Sequence, residues 1–244
     1  VIEQLSAKID KLIQKVILTN FYSMESTSNN QNYEFRVYPD EKSPKLFKSP
    51  LLEVLTKTKL WIIIVLYSTV AIIWLWVYMH YFQGTTIKLI SLFFLGFFAW
   101  TFGEYVLHRF VYHKLKDASY DTGLQYMFHG IHHQYPSDED RIILPPVPGL
   151  IIASALLGVF YLIMGGEAFT FGPGFLMGYL AYISIHWMVH SKPAPARFNF
   201  WWRHHNIHHY QQHDKAFGVS TPIWDIVFRT MPLKGRKTIT ILKK

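Results

Sequence analysis

LWIIIVLYSTVAIIWLWVYMHYF, residues 60–82, carries no charged side chain in 23 positions. At 1.5 Å per residue, about 20 helical residues cross a hydrocarbon core of about 30 Å, so this stretch is long enough for a transmembrane helix. The pattern recurs along the chain. After the turn Gln83-Gly84-Thr85-Thr86, a second apolar run covers 87–107, and so short a connection makes the pair an antiparallel hairpin. A third run, 147–164, comes after Pro145 and Pro146, and Gly165-Gly166-Glu167 turns it into a fourth, 168–189. The predicted fold is all-α: a polytopic membrane protein with four transmembrane helices in two hairpins.

Composition points the same way. Half of the 244 residues are hydrophobic and 17% are aromatic, an unusual share for a soluble domain. The absence of cysteine excludes disulfides, thiolate zinc sites, iron–sulfur clusters and cysteine nucleophiles. A formal charge of +8 invites a nucleic-acid reading, but no basic run is interleaved with stacking aromatics, and nucleic acid is set aside as a partner. Topology explains the charge better. Lys and Arg number 9 before Leu60, 4 between His108 and Leu144 and 10 after His190, against Lys88 alone in the short turns. Four spans put all three basic regions on one face, which the positive-inside rule makes cytoplasmic, or the matrix side in a mitochondrial inner membrane.

Ahead of the spans, residues 1–45 divide into a helix and a linker. Ile2, Leu5, Ile9, Leu12, Ile13, Val16 and Ile17 recur at helical spacing, so Ile2–Phe21 is predicted as an amphipathic helix lying on a membrane, on a membrane-complex partner or on the protein's own body. Tyr22–Lys45, polar and bounded by Pro39 and Pro44, is predicted as an extended linker. The membrane domain occupies 46–244 and opens with a short interfacial helix within Leu46–Leu55. The chain begins at Val1, as an import-processed product would.

Of 13 histidines, all but His80 fall at the inner ends of the spans or in the polar regions of that same face, where a helical cap is expected to hold them. They form His108-x4-His113, His129-x-x-His132-His133, His186-x3-His190 and His205-x-x-His208-His209. On a helix, i, i+3 and i+4 fall within an arc of about 100°, so each HxxHH group is expected to direct three imidazoles at one place. His108 and His113 lie about 140° apart on a straight α-helix. Ten imidazoles exceed the four to six ligands of one divalent ion and suit two, with room for an oxygen ligand. Imidazole serves zinc, copper and iron alike. A lipid-facing site without a carboxylate nucleophile pattern favours oxidative attack on hydrocarbon, hence iron. His204 and His213 are left over, as helix surface or as support behind the ligands.

Four segments carry a family resemblance: Glu104-Tyr-x-x-His-Arg-Phe-x-x-His113, His129-Gly-x-His-His-x-x-Pro-x-Asp-x-x-Arg-x-x-x-Pro-Pro146, His205-x-x-His-His209 and Phe217-Gly-Val-Ser-Thr-x-x-Trp-Asp225. Through them, Leu46 to Pro232 resembles the fatty acid 2-hydroxylases of sphingolipid synthesis, within the wider fatty acid hydroxylase and sterol desaturase group. The resemblance implies a di-iron monooxygenase of the endoplasmic reticulum membrane, its site on the cytoplasmic face. It would use dioxygen and two electrons to place a hydroxyl on carbon 2 of a fatty acyl chain, free or in ceramide. The ten clustered histidines map onto the family's ligands, with zinc as the ion an isolated protein could carry instead. Glu104, Asp138, Asp140 and Asp225 are candidates to orient ligand rings, with Tyr182 beside His186. Arg141 and Arg203 would hold carboxylate or lipid headgroups, or stay as solvated interfacial charges. Family members commonly carry a cytochrome b5 domain. No haem-binding pattern precedes the first span, so a separate donor such as cytochrome b5 and its reductase is expected. One position departs from the family pattern: Ile183 follows Tyr182 where an aspartate is expected. That departure keeps two alternatives open, a non-catalytic membrane subunit that retains the metal site and a related sterol or lipid hydroxylase or desaturase.

Overall fold

A computed structural model describes residues 33–82, 84–113, 125–237 and 239–242. The expected Ile2–Phe21 helix and residues 22–32 of the linker lie outside the described residues. The elements run β1 (Tyr33–Arg36), α1 (Pro50–Val54), α2 (Leu60–Tyr81), α3 (Thr86–Val106), α4 (Ile131–Gln134), α5 (Pro146–Met164), α6 (Ala168–Ser191), α7 (Phe200–Tyr210), α8 (Ile223–Val227) and β2 (Ile239–Leu242). The architecture is helical, with one addition the sequence did not announce: β1, inside the expected linker, pairs with β2 in a two-stranded ladder. Two π-helical turns, Leu107–Tyr112 and Tyr126–Gly130, continue α3 and precede α4.

Local chemistry sets the helix ends. Thr85 Oγ1 caps α3 by accepting from the Lys88 amide at 3.3 Å. Pro146 starts α5, where its missing N–H costs nothing, and Gly165 ends it at φ 60°, a conformation that disfavours a Cβ. Three segments are long and apolar enough to cross a membrane: Leu60–Tyr81, Thr86–Tyr112 and Glu139–Ser191, the last containing α5 and α6 joined by a 3-10 turn. Their outer faces stay apolar, with Ile72, Trp76, Phe94, Phe98, Leu162 and Ile163 all exposed. Inward, Ile63, Tyr67, Trp100, Leu176, Leu180 and Ile183 form the core.

The α3–α6 contact depends on small residues, as helix contacts in lipid commonly do. A Cβ on Gly178 would stand 2.6 Å from the Phe97 carbonyl oxygen and 2.5 Å from Trp100 Cβ, and one on Gly174 would strike the Phe93 carbonyl. Gly178→Val is expected to push these helices apart and cost about 1–3 kcal/mol. Thermal unfolding in detergent measures this, and an unchanged transition would show that the contact yields. At the end of the bundle remote from the clustered histidines, Glu167 accepts from Tyr78 Oη at 3.2 Å and pairs with Lys88, tying both hairpins together.

At the other end, the polar segments fold over the helix ends. Arg141, expected either to hold an anion or to stay solvated, is buried within the protein instead: it donates to Glu53 Oε1 at 2.5 Å, to Thr56 Oγ1 at 2.9 Å and to the Pro44 carbonyl at 3.4 Å. A buried guanidinium needs these partners, and Glu53 supplies the opposite charge. Arg203 is exposed.

Candidate metal centre

The ten clustered histidines meet in two groups of five. His108, His113, His129, His133 and His208 form one; His132, His186, His190, His205 and His209 form the other. Within each, one ligand nitrogen per residue lies within 4.8 Å of all the rest. Nitrogens on opposite sides of one ion, at bond lengths of about 2.1 Å, would stand about 4.2 Å apart, so each group is close to a single-ion shell.

Each HxxHH motif divides between the groups, contrary to the expectation that its three rings share one target. On α4 and the π-turn before it, His129 and His133 join one group and His132 the other; on α7, His205 and His209 join one and His208 the other. Helix geometry gives the reason. Residues i and i+4 are about 40° apart, whereas neighbours i+3 and i+4 diverge by about 100°. Two such helices facing each other therefore furnish two adjacent shells, and the His133 and His209 rings stack at 4.0 Å where the shells meet.

His108 and His113, divergent on a straight α-helix, are brought together by the π-turn Leu107–Tyr112, whose i to i+5 register places residues five apart above one another. Their rings lie 5.0 Å apart. His186 and His190 close the second group from α6, one turn apart, with the Tyr182 ring stacked on His186 at 5.6 Å.

Backbone carbonyls orient two of the rings. His108 Nδ1–H donates to the Phe217 carbonyl at 2.5 Å, and His208 Nδ1–H donates to the Lys215 carbonyl at 2.7 Å. Each bond fixes the tautomer and leaves the Nε2 lone pair pointing inward. There it meets another imidazole nitrogen, His129 Nε2 at 3.0 Å and His113 Nε2 at 3.0 Å respectively. Among the described residues, both ring nitrogens of His132 and of His209 and Nε2 of His186 are buried without a hydrogen-bond partner. Each such group costs about 1–3 kcal/mol, which a coordinated cation would offset. Nitrogen-only shells of five converging donors fit a divalent transition metal in each group.

Burial, reinforced by neighbouring imidazoles, holds His129, His132, His133, His205, His208 and His209 well below the ordinary histidine range, so their lone pairs are available at neutral pH. Because the folded values lie below the unfolded value of about 6.5, the stability these groups contribute is intact above that pH and is lost as pH falls. Metal-free protein is expected to weaken below about pH 6.5, by up to about 1.4 kcal/mol per pH unit for each such histidine. Thermal unfolding of chelator-treated protein reads this directly; a transition independent of pH would contradict it.

The acidic candidates act at one remove from the rings. Glu104 does not accept from His108: its Oε1 takes the amides of Val219 at 2.5 Å and Ser220 at 2.9 Å, and its Oε2 takes the Ser220 hydroxyl. Asp225 Oδ1 accepts from the Phe217 amide at 2.9 Å, and its Oδ2 accepts from the Gly218 amide at 2.8 Å and from His204 Nε2 at 3.1 Å. Both carboxylates thus hold the 217–220 loop whose carbonyl orients His108. Asp138 is turned to Ser43, whose amide and hydroxyl donate to it at 3.1 and 2.5 Å, and Asp140 pairs with Lys59 at 2.6 Å, so neither reaches an imidazole. His204 is buried against Asp225 rather than lying on the helix surface, while His213, pushed down to about 4 by burial, stands with its ring 4.8 Å from His133. Ile183 lies in the apolar core.

An apolar cavity of about 190 Å³ runs between α2, α3, α5 and α6. It is larger than an engineered apolar cavity of about 150 Å³ that stays dry and admits benzene. Leu107, Val111, Tyr112 and Phe128, sequence neighbours of His108, His113 and His129, line one part of it, and Tyr112 stacks on His129 at 5.1 Å. Trp74 and Phe160 line it farther along the helices.

Known proteins are similar to this chain. The chain is 32% identical over 199 residues to dihydroceramide fatty acyl 2-hydroxylase FAH1 of Arabidopsis thaliana, an alignment covering 79% of this chain and 81% of that one. It is 32% identical over 228 residues to the Homo sapiens fatty acid 2-hydroxylase, covering 79% of this chain but 58% of that protein's length. Among solved structures, full-length scs7p, of which only the hydroxylase domain is visible, superposes with a TM-score of 0.69 at 29% identity, over 81% of this chain and 75% of that one. With the fatty acid hydroxylase family model matching residues 93–230, more than half of the sequence and all ten of the clustered histidines, the chain belongs to the fatty acid hydroxylase family.

Proposed function

We propose that this chain is a membrane hydroxylase that places a hydroxyl on carbon 2 of a fatty acyl chain, free or in ceramide. The observation that carries the reading is an apolar cavity lined by Leu107, Val111, Tyr112 and Phe128, sequence neighbours of His108, His113 and His129, with Tyr112 stacked on His129. The Arabidopsis and human relatives are a dihydroceramide fatty acyl 2-hydroxylase and a fatty acid 2-hydroxylase. All ten clustered histidines would hold two iron ions, five to each.

When bound, the two ions supply the oxidising chemistry, with dioxygen and two electrons from a separate donor such as cytochrome b5 and its reductase, by which a carbon–hydrogen bond becomes a carbon–hydroxyl bond. The protein's own contribution is positional. Tyr67, Trp100 and Phe175 would enclose the acyl chain, Phe128 and Val111 would keep water from the ring cluster, and the Phe217 and Lys215 carbonyls hold their histidines in one tautomer. In the same reading α2, α3, α5 and α6 cross the bilayer as two hairpins and the polar segments cap them on the cytoplasmic face, supported by the basic residues gathered beyond the same helix ends. The endoplasmic reticulum is the proposed compartment.

A second reading has one observation in its favour. Ile183 leaves no carboxylate beside Tyr182, as in a non-catalytic membrane subunit that keeps its metal shells for structure. Mass spectrometry of ceramides from cells expressing the chain in a host lacking 2-hydroxylated sphingolipids, with elemental analysis of the purified protein, decides between them. New 2-hydroxyacyl ceramides and two irons per chain are expected. A hydroxylated sterol or a desaturated lipid instead would reassign the substrate, and unchanged lipids with zinc or no metal would overturn the hydroxylase reading.

A further inference from the structure

Outside the long helices, a patch of exposed apolar side chains lies on and just after α8. Ile223, Ile226 and Val227 are 56%, 60% and 57% exposed, and Met231 and Leu233 continue the patch. The opposite side of the same short helix is fixed inward, with Asp225 fully buried and, just past the helix end, the Phe228 ring stacked on Tyr105 at 5.2 Å. So polar a hub on one face and so apolar a face on the other make α8 amphipathic despite its length.

The attachment of α8 indicates the cover for its apolar face. Trp224 Nε1 donates to Thr101 Oγ1 at 2.9 Å, and the Trp224 ring lies 4.8 Å from Phe102, both on α3 inside a segment apolar enough to cross a membrane. Phe94, Phe98 and Phe102 recur every four residues and are all exposed, making a lipid-facing row on α3 that leads to Trp224. The exposed face of α8 thus extends the outer surface of a spanning helix. Arg229, Lys234 and Lys237 lie just beyond it in the sequence, the charge expected at a headgroup boundary.

We propose that Ile223–Leu233 is seated in the phospholipid leaflet beside α3 as an in-plane anchor, Ile223, Ile226 and Val227 entering the acyl boundary and Arg229 and Lys234 meeting the headgroups. A face of this kind enters the headgroup–acyl boundary to a depth of about 5–10 Å. The anchor requires that α3 cross a bilayer, as proposed for the hydroxylase, and is independent of the reaction catalysed. It also gives the Asp225 hub a membrane support, because Ile223, Ile226 and Val227, which share α8 with Asp225, are the ones that meet lipid.

The chain has no cysteine, so single labels are unambiguous. Ile226→Cys and, separately, Val227→Cys would each carry an environment-sensitive fluorophore in the full-length protein, reconstituted in phosphatidylcholine–phosphatidylserine nanodiscs. Phe98→Cys serves as the lipid-facing reference. Acyl chains brominated near the headgroup are expected to quench the labels at 226 and 227 to an extent comparable with the reference, while aqueous iodide leaves them bright. Quenching by iodide without quenching by bromine would overturn the proposal. So would protection from both quenchers, since that result assigns the face to a second copy or another protein. A reference label at 98 that bromine fails to quench would instead overturn the bilayer placement of α3. The two positions on α8 are independent, so a variant that misfolds leaves the other to decide.

Discussion

Replacing His132 by alanine is expected to empty the second histidine group, leave the first loaded, and reduce hydroxylated product by more than the approximately 100-fold that losing a mere supporting partner of a ligand costs. His132 is suited to the test because it makes no hydrogen bond with the described residues through either ring nitrogen, so its removal breaks no other contact of that kind. Its ring lies 4.5 Å from His190, 4.7 Å from His186 and 4.8 Å from His209, within its own group. His129, one turn earlier, belongs to the other group and stays in place. Elemental analysis should therefore find half the metal of the parent protein. His80→Ala, remote from both groups, should keep all of it. Loss of both ions on His132→Ala would show that the shells fill as one unit, and retention of both would remove His132 from the ligand set.

That half-loading follows from geometry only partly legible in the sequence. Length and hydropathy sufficed for the helices: the run at 60–82 appears as Leu60–Tyr81, and that at 147–164 as Pro146–Met164. The membership of the histidine clusters was legible as well, since spacing and position along the chain gathered the ten residues that now meet. Their division was not. Spacing fixes angles around one helix axis, whereas which ring joins which shell depends on where the facing helix stands. The π-turn at Leu107–Tyr112 was hidden for a related reason, because no residue type within it marks the change of register. Backbone acceptors such as the Phe217 carbonyl leave no mark in a sequence, whereas Glu104, a candidate to orient a ligand ring, holds the neighbouring loop.

Asp225→Ala is expected to destabilise the protein by about 3–5 kcal/mol and to weaken metal binding in the first group about 10- to 100-fold while sparing the second. The carboxylate is wholly buried and accepts four hydrogen bonds, from the amides of Phe217 and Gly218, from Thr230 Oγ1 at 2.7 Å and from His204 Nε2. Truncation strands those donors away from water, which is why the cost exceeds that of one ordinary hydrogen bond. The effect on metal arises because Phe217 is held at its amide by Asp225 and accepts from His108 at its carbonyl. Freed at its own amide and at that of Gly218, Phe217 no longer holds its carbonyl in place to fix the His108 tautomer. Among the described residues no ring of the second group is oriented by the 217–220 loop: His132, His186, His190, His205 and His209 are carried by α4, α6 and α7, and Asp225 touches α7 only through His204. Chelator competition that follows the two ions separately, alongside thermal unfolding, checks both parts. Equal weakening of the two sites would mean the variant acts through general unfolding, and unaltered affinity at both would mean that the 217–220 loop holds its shape through Glu104 alone.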